Sequence, residues 1–246
     1  MSGLTQALLF PDWPAPASVR ACVTTRQGGV SLPPYDTFNL GDHVGDEPAA
    51  VAENRRRLSA EFAIQPAWLK QVHGVVVADA NPAVVAEADA SWTDQPGIAC
   101  TAMTADCLPV LFCDRAGTRV AAAHAGWRGL AAGVLEATLE RLALAPDEVL
   151  VWLGPAIGPQ AFEVGLEVRD AFTALHPDAA QAFVPGAQPG KLMADIYALA
   201  RIRLAARGVT AVYGGGLCTV SDPRFFSYRR TPQGGRFASL VWLDPH

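Results

Sequence analysis

Residues 101–130, TAMTADCLPVLFCDRAGTRVAAAHAGWRGL, constrain this chain more than any other stretch. Two apolar runs flank a turn-forming tetrad, Asp114, Arg115, Ala116 and Gly117, and a glycine-rich loop then opens an amphipathic segment. Apolar runs of this length, bounded by turn residues, read as paired strands. The sequence therefore predicts a hairpin with strands over residues 107–113 and 118–124, followed by a helix. Val110 and Phe112 suit a sheet. Pro109 donates nothing to a ladder and is tolerated near a strand start. A turn with two or four central residues puts Cys107 directly opposite His124, with Cβ atoms roughly 4.5–5.5 Å apart. A thiolate and an imidazole at that separation can share one metal ion. Cys113 alternates onto the same face as Cys107 but lies roughly 20 Å along the strand. It is expected as a small buried apolar residue.

The rest of the chain sets the class. Its 246 residues are 50% apolar, ample for a core. The net charge of −5 argues against nucleic acid or an anionic membrane as partner. No apolar run reaches the ~20 residues that span a bilayer, and the start, MSGLTQALLFPDWPAP, lacks the pattern of a signal peptide. Five scattered cysteines fit a reducing cytoplasm better than a disulfide framework. Strand-like and helix-like segments are interspersed, without repeats or linkers. They predict one α+β domain over residues 1–246, with mixed β-sheets flanked by helices. The oligomeric state is left open.

In chain order, residues 19–25 read as a strand ending at Arg26, whose guanidinium stands where it can hold an anion. Asn39 lies in the irregular stretch FNLGDHVGD, after which a helix is expected over residues 47–62, capped by Asp46. Residues 68–77 read as a strand kinked at Gly74, with Gln71 and His73 on one face. HAGWRG, after the hairpin, offers backbone N–H groups at a helix start, with Arg128 beside them, and so forms a candidate phosphate site. The helix that follows is expected to bury Leu130, Val134, Leu135, Leu139 and Leu142. Residues 225–230, FFSYRR, group aromatics with Arg229 and Arg230 and read as an edge strand.

His73, Cys107 and His124 form the set to test. Two imidazoles and a thiolate lie between the donor sets of known catalytic zinc sites and leave a fourth position open. Zinc bound in this way brings its water to a pKa of roughly 7.

The segments TTRQGGVS, FNLGDHVGD, QVHG, TADCLPVL, HAGWRG, LGPAIGP and FFSYRR, in this order, resemble the laccase-domain, YfiH-type family. The resemblance runs over nearly the whole chain. It implies a zinc-dependent enzyme that splits adenosine, inosine, guanosine and methylthioadenosine with phosphate and deaminates adenosine. By motif, it implies His73, Cys107 and His124 as zinc ligands, with Cys107 and His124 at the reaction centre. Arg26, Asn39, Gln71, Arg128 and Arg229 fall in family-like motifs and are taken as candidates for holding nucleoside and phosphate. The stretch ASWTDQPG departs from the family pattern, which bears on substrate preference. Three other readings stay open: a copper polyphenol oxidase, a metal-free hydrolase with Cys107 as nucleophile and His124 as base, and a structural metal site in a binding module.

Overall fold

The computed structural model describes Leu4 and residues 7–245. The expected hairpin is the middle of a six-stranded mixed sheet. Leu108–Asp114 pairs antiparallel with Val120–Ala125 on one side and with Val149–Leu153 on the other. Val212–Gly214 extends the sheet in parallel at one edge, and Ala90–Thr93 and Val77–Asp79 extend it at the other. A five-stranded sheet runs in the order Leu8–Leu9, Val19–Thr24, Phe237–Leu243, Ile98–Thr104, Gln65–Ala67.

The alternation of side chains sorts these strands into layers. Leu111, Cys113, Val120 and Ala122 point to Val23, Cys100, Ala102 and Val241 of the other sheet. Their neighbours Val110, Phe112, Ala121 and Ala123 point the opposite way, onto Leu130, Val134 and Leu135 and onto Leu199 and Leu204 of helix Ile196–Ala206. The far face of the five-stranded sheet is covered by Phe38, Leu40 and Leu58, the last on helix Pro48–Phe62. Both faces of each sheet are thus buried, which is why its strands read as continuous apolar runs. The result is a four-layer α+β domain with the hairpin at its centre. No helix among the described residues is long and apolar enough to cross a membrane.

Several elements differ from expectation for identifiable reasons. The hairpin register is offset by two residues: Cys113 pairs with Val120, and His124 with Pro109. The turn is longer because Asp114 wraps it. Its carboxylate accepts from the Thr118 amide at 2.7 Å, the Thr118 hydroxyl at 2.6 Å and the Arg119 amide at 2.9 Å. A shift of two keeps every side chain on its expected face. Cys107 therefore precedes the first paired residue and meets His124 diagonally rather than directly. The expected helix after HAGWRG is two helices, Trp127–Ala132 and Val134–Leu142, because Gly133 takes φ 107° between them. The strand expected over 68–77 stops at Lys70. FFSYRR forms turns rather than an edge strand. Helix Pro48–Phe62 is not capped by Asp46; the carboxylate instead accepts from Ser31 and Asn39.

Candidate metal centre

The three expected donors converge. One ligand atom from each of His73, Cys107 and His124 lies within 4.8 Å of the others. The His73 Nε2 is 3.7 Å from the Cys107 Sγ, and the two imidazoles meet edge to face with centroids 4.7 Å apart. Each donor comes from a different kind of structure. His124 stands on a central strand and is buried. Cys107 closes the tight turn after Ile98–Thr104, at which Asp106 takes φ 90°. His73 sits in an irregular segment with φ 61°, and its ring is reachable from solvent.

Asp89 holds this irregular segment in place. It is fully buried, at the start of strand Ala90–Thr93. Its Oδ1 accepts from the His73 amide at 2.9 Å and lies 2.8 Å from the His124 Nδ1. Its Oδ2 accepts from the Gly74 amide at 2.6 Å and the Val72 amide at 3.2 Å. One carboxylate thus fixes the backbone of one ligand and the ring of another. With the Nδ1 of His124 engaged, Nε2 is left for a metal, the usual arrangement around a ligating histidine. Burial pushes the Asp89 carboxyl up, but the bonds from His124 and the Gly74 and Val72 amides bring it below its ordinary value. Sequence reasoning missed Asp89; its only signal was an acid set among small apolar residues in AEADASW.

The electrostatics make Cys107 and His124 a thiolate–imidazolium pair, from which a metal ion would displace the ring proton. Burial pushes the Cys107 thiol up, but His124 and His73 beside it outweigh this and bring it down to about 6. Burial lowers His124, yet Cys107 and Asp89 raise it to about 9. The contrast is Cys113, which burial and Asp114 drive up to about 12. Of these two cysteines, Cys107 alone is poised as a thiolate. The close approach also needs Gly126. A Cβ there would stand 2.7 Å from the His73 ring and 3.1 Å from the Cys107 sulfur.

The centre lies in a cavity of about 520 Å³, a size that suits a small organic ligand. Gln71, Arg128 and Arg229 line it, as do Trp127, Phe162 and Tyr228. Arg128 stacks over Trp127 with its guanidinium 4.4 Å from the ring centroid. The Arg229 amide donates to Asp106 at 2.6 Å. Gln71 is pinned: its amide donates to the Met103 carbonyl and accepts from the Met103 amide, both at 2.8 Å. Two expected anion or substrate residues lie elsewhere. Arg26 is committed to Asp36, with Nη2 to Oδ2 at 2.9 Å and Nε to the carbonyl at 3.0 Å, and it stacks on Phe226. Asn39 is sealed in the core, where it bridges Gly41, Asp46 and the Arg236 amide. Both organise the loops behind the cavity and do not line it. The lining also includes His43 and Arg236, which the sequence reading did not single out.

A family model described as multi-copper polyphenol oxidoreductase laccase matches residues 20–244, and the chain belongs to this family. Its relatives narrow the class. A purine nucleoside phosphorylase of Pseudomonas aeruginosa is 70% identical over 239 residues, 97% of this chain and 99% of the relative. Purine nucleoside phosphorylase YfiH of Escherichia coli is 56% identical over 241 residues, 96% of this chain and 98% of the relative. A crystal structure of a Neisseria meningitidis protein of the same family superposes with a TM-score of 0.94 at 54% identity, over 97% of this chain and 99% of that one.

Proposed function

We propose that this chain is a zinc-dependent purine nucleoside phosphorylase acting on adenosine, inosine, guanosine and methylthioadenosine, with adenosine deaminase activity. The observation that carries the reading is the convergence of His73, Cys107 and His124 at one end of a cavity lined by aromatics and arginines. The relatives named as purine nucleoside phosphorylases support it. The donor set fits the metal: a lowered thiol, a ring fixed by Asp89 and a second imidazole open to the cavity suit a borderline ion with mixed nitrogen and sulfur ligands. Zinc held there supplies Lewis acidity toward the purine.

The chain's own residues account for the remainder. Trp127 and Phe162 offer flat faces for a base. Arg128 and Arg229 place positive charge on the cavity wall, where it draws phosphate in. Asp89 keeps His124 in one tautomer throughout. The pinned Gln71 holds the His73 segment against the strand that leads to Cys107. A cytoplasmic location, with nucleoside and phosphate as small-molecule partners and no nucleic acid or membrane, completes the reading.

Phosphate-dependent release of base by pure protein of measured zinc content tests the proposal, with His124→Ala as control. Equal turnover by that variant overturns it. Copper oxidation of phenols is the reading that the family description favours. Among the described residues, however, this is the one group of histidine, cysteine and acidic side chains able to hold a metal, which suits a single ion better than a multicopper cluster. A metal-free hydrolase would use the same Cys107, His124 and Asp89 as a triad. Inactivation by chelators, and not only by alkylation, separates it from the zinc enzyme.

A further inference from the structure

Arg236 is the cavity's most sheltered arginine. It is half-buried, whereas Arg128 and Arg229 are exposed. Its Nη1 donates to the carbonyls of Gly234 and Gly235, both at 3.1 Å. Among the described residues, nothing accepts from its Nε or Nη2, and no carboxylate forms an ion pair with it. The backbone fixes its place. Its amide donates to the buried Asn39 Oδ1 at 2.8 Å, and the next residue, Phe237, pairs with Thr104 at the end of the strand that leads to Cys107. Thr104 faces the other way: it pairs with Phe237, so its hydroxyl is shut into the space between the sheets, whereas Arg236, one residue along, turns to the opposite face. The cavity wall near the metal centre therefore holds a guanidinium with two unused donors. A tetrahedral oxyanion answers that need. A guanidinium presents its donors as a fork that fits such an anion, and partial burial strengthens the attraction.

We infer that Arg236 forms the oxyanion subsite that receives inorganic phosphate as co-substrate. The inference rests on the phosphorylase reading for its role in turnover, but not for binding itself. Arg128 and Arg229, nearer solvent, gather the anion, and Arg236 fixes it next to the centre. The test is calorimetric titration of the zinc-loaded protein with inorganic phosphate, alongside steady-state kinetics. Arg236→Met is expected to weaken phosphate binding, and to raise the KM for phosphate, by about 10- to 100-fold, the loss of a charge-assisted fork. The KM for nucleoside should stay within about threefold. Should Arg236→Met not fold, Arg236→Lys, which keeps the charge but loses the fork, is expected to weaken phosphate binding by an intermediate amount. Phosphate affinity unchanged in the folded Arg236 variants, or no phosphate binding by the wild type, overturns the inference. Phosphate binding that depends on Arg236 in a protein that splits no nucleoside upholds the subsite and overturns the phosphorylase reading alone.

Discussion

The two arms of the metal centre are built by opposite means. His124 belongs to the hairpin, where ladder bonds and burial on both faces of the sheet set its position, and Cys107 sits one residue ahead of the hairpin's first paired residue, Leu108. His73 belongs to a segment without ladder bonds, where one carboxylate, 16 residues further on, takes the place of a strand. The first arm is stable because many small apolar contacts agree. The second is precise because one buried acid receives three backbone amides and a ring nitrogen. Loss of a single contact should therefore be absorbed by the first arm and felt at once by the second.

Four measurements sharpen this contrast. The largest effect belongs to the point where the arms meet. His124→Ala removes a ligand and should reduce phosphorolysis on the order of a thousandfold, read as kcat/KM per zinc. Next, Leu111→Ala opens a cavity between the sheets and should cost about 3 kcal/mol of stability. Zinc stoichiometry in that folded variant should stay at the wild-type value, and a loss of zinc would show that the hairpin is less tolerant than argued. Asp89→Asn acts on the other arm: zinc affinity should fall by about 10- to 100-fold, measured by competition with a chromophoric chelator. An affinity equal to wild type would mean that His73 is held by something else.

The smallest effect is a pH dependence within the hairpin turn. Burial pushes the Asp114 carboxyl up, but its bonds from Thr118 and Arg119 bring it below its ordinary value of 3.8. A carboxylate with a lowered folded pKa stabilises fully above 3.8, and its contribution is lost as the pH falls through the folded value. Wild type should thus exceed Asp114→Asn by about 1 kcal/mol above pH ~5, and the gap should close on acidification. Denaturant titrations across that range check the sign.

How far the sequence could be read follows from the same contrast. The hairpin was legible because alternation and turn residues are local signals. Even its register error, caused by Asp114 lengthening the turn, left Cys107 and His124 on one face, since sheets repeat every two residues. His73 was found as a candidate ligand, but in a strand that does not exist. The valines after Gly74 suggest β structure, whereas the backbone there answers to Asp89, a distant residue that no periodicity marks. Arg26 and Asn39 sit in motifs that look functional, yet their side chains are spent on Asp36 and on Asp46 and the Arg236 amide. Arg236 went unmarked because GGRF carries no pattern of its own. Its place at the cavity is set by the buried Asn39, far away in the chain.

Gly126 has a backbone that any residue adopts, with φ −59° and ψ 154°. What forbids a side chain there is only the crowding of His73 and Cys107. A single methyl at this point would act as a wedge driven into the lock while the door stays on its hinges. Such a chain should fold and melt like its parent yet remain blind to metal, which would make it a clean decoy for telling what the cell needs from this protein's shape from what it needs from its chemistry.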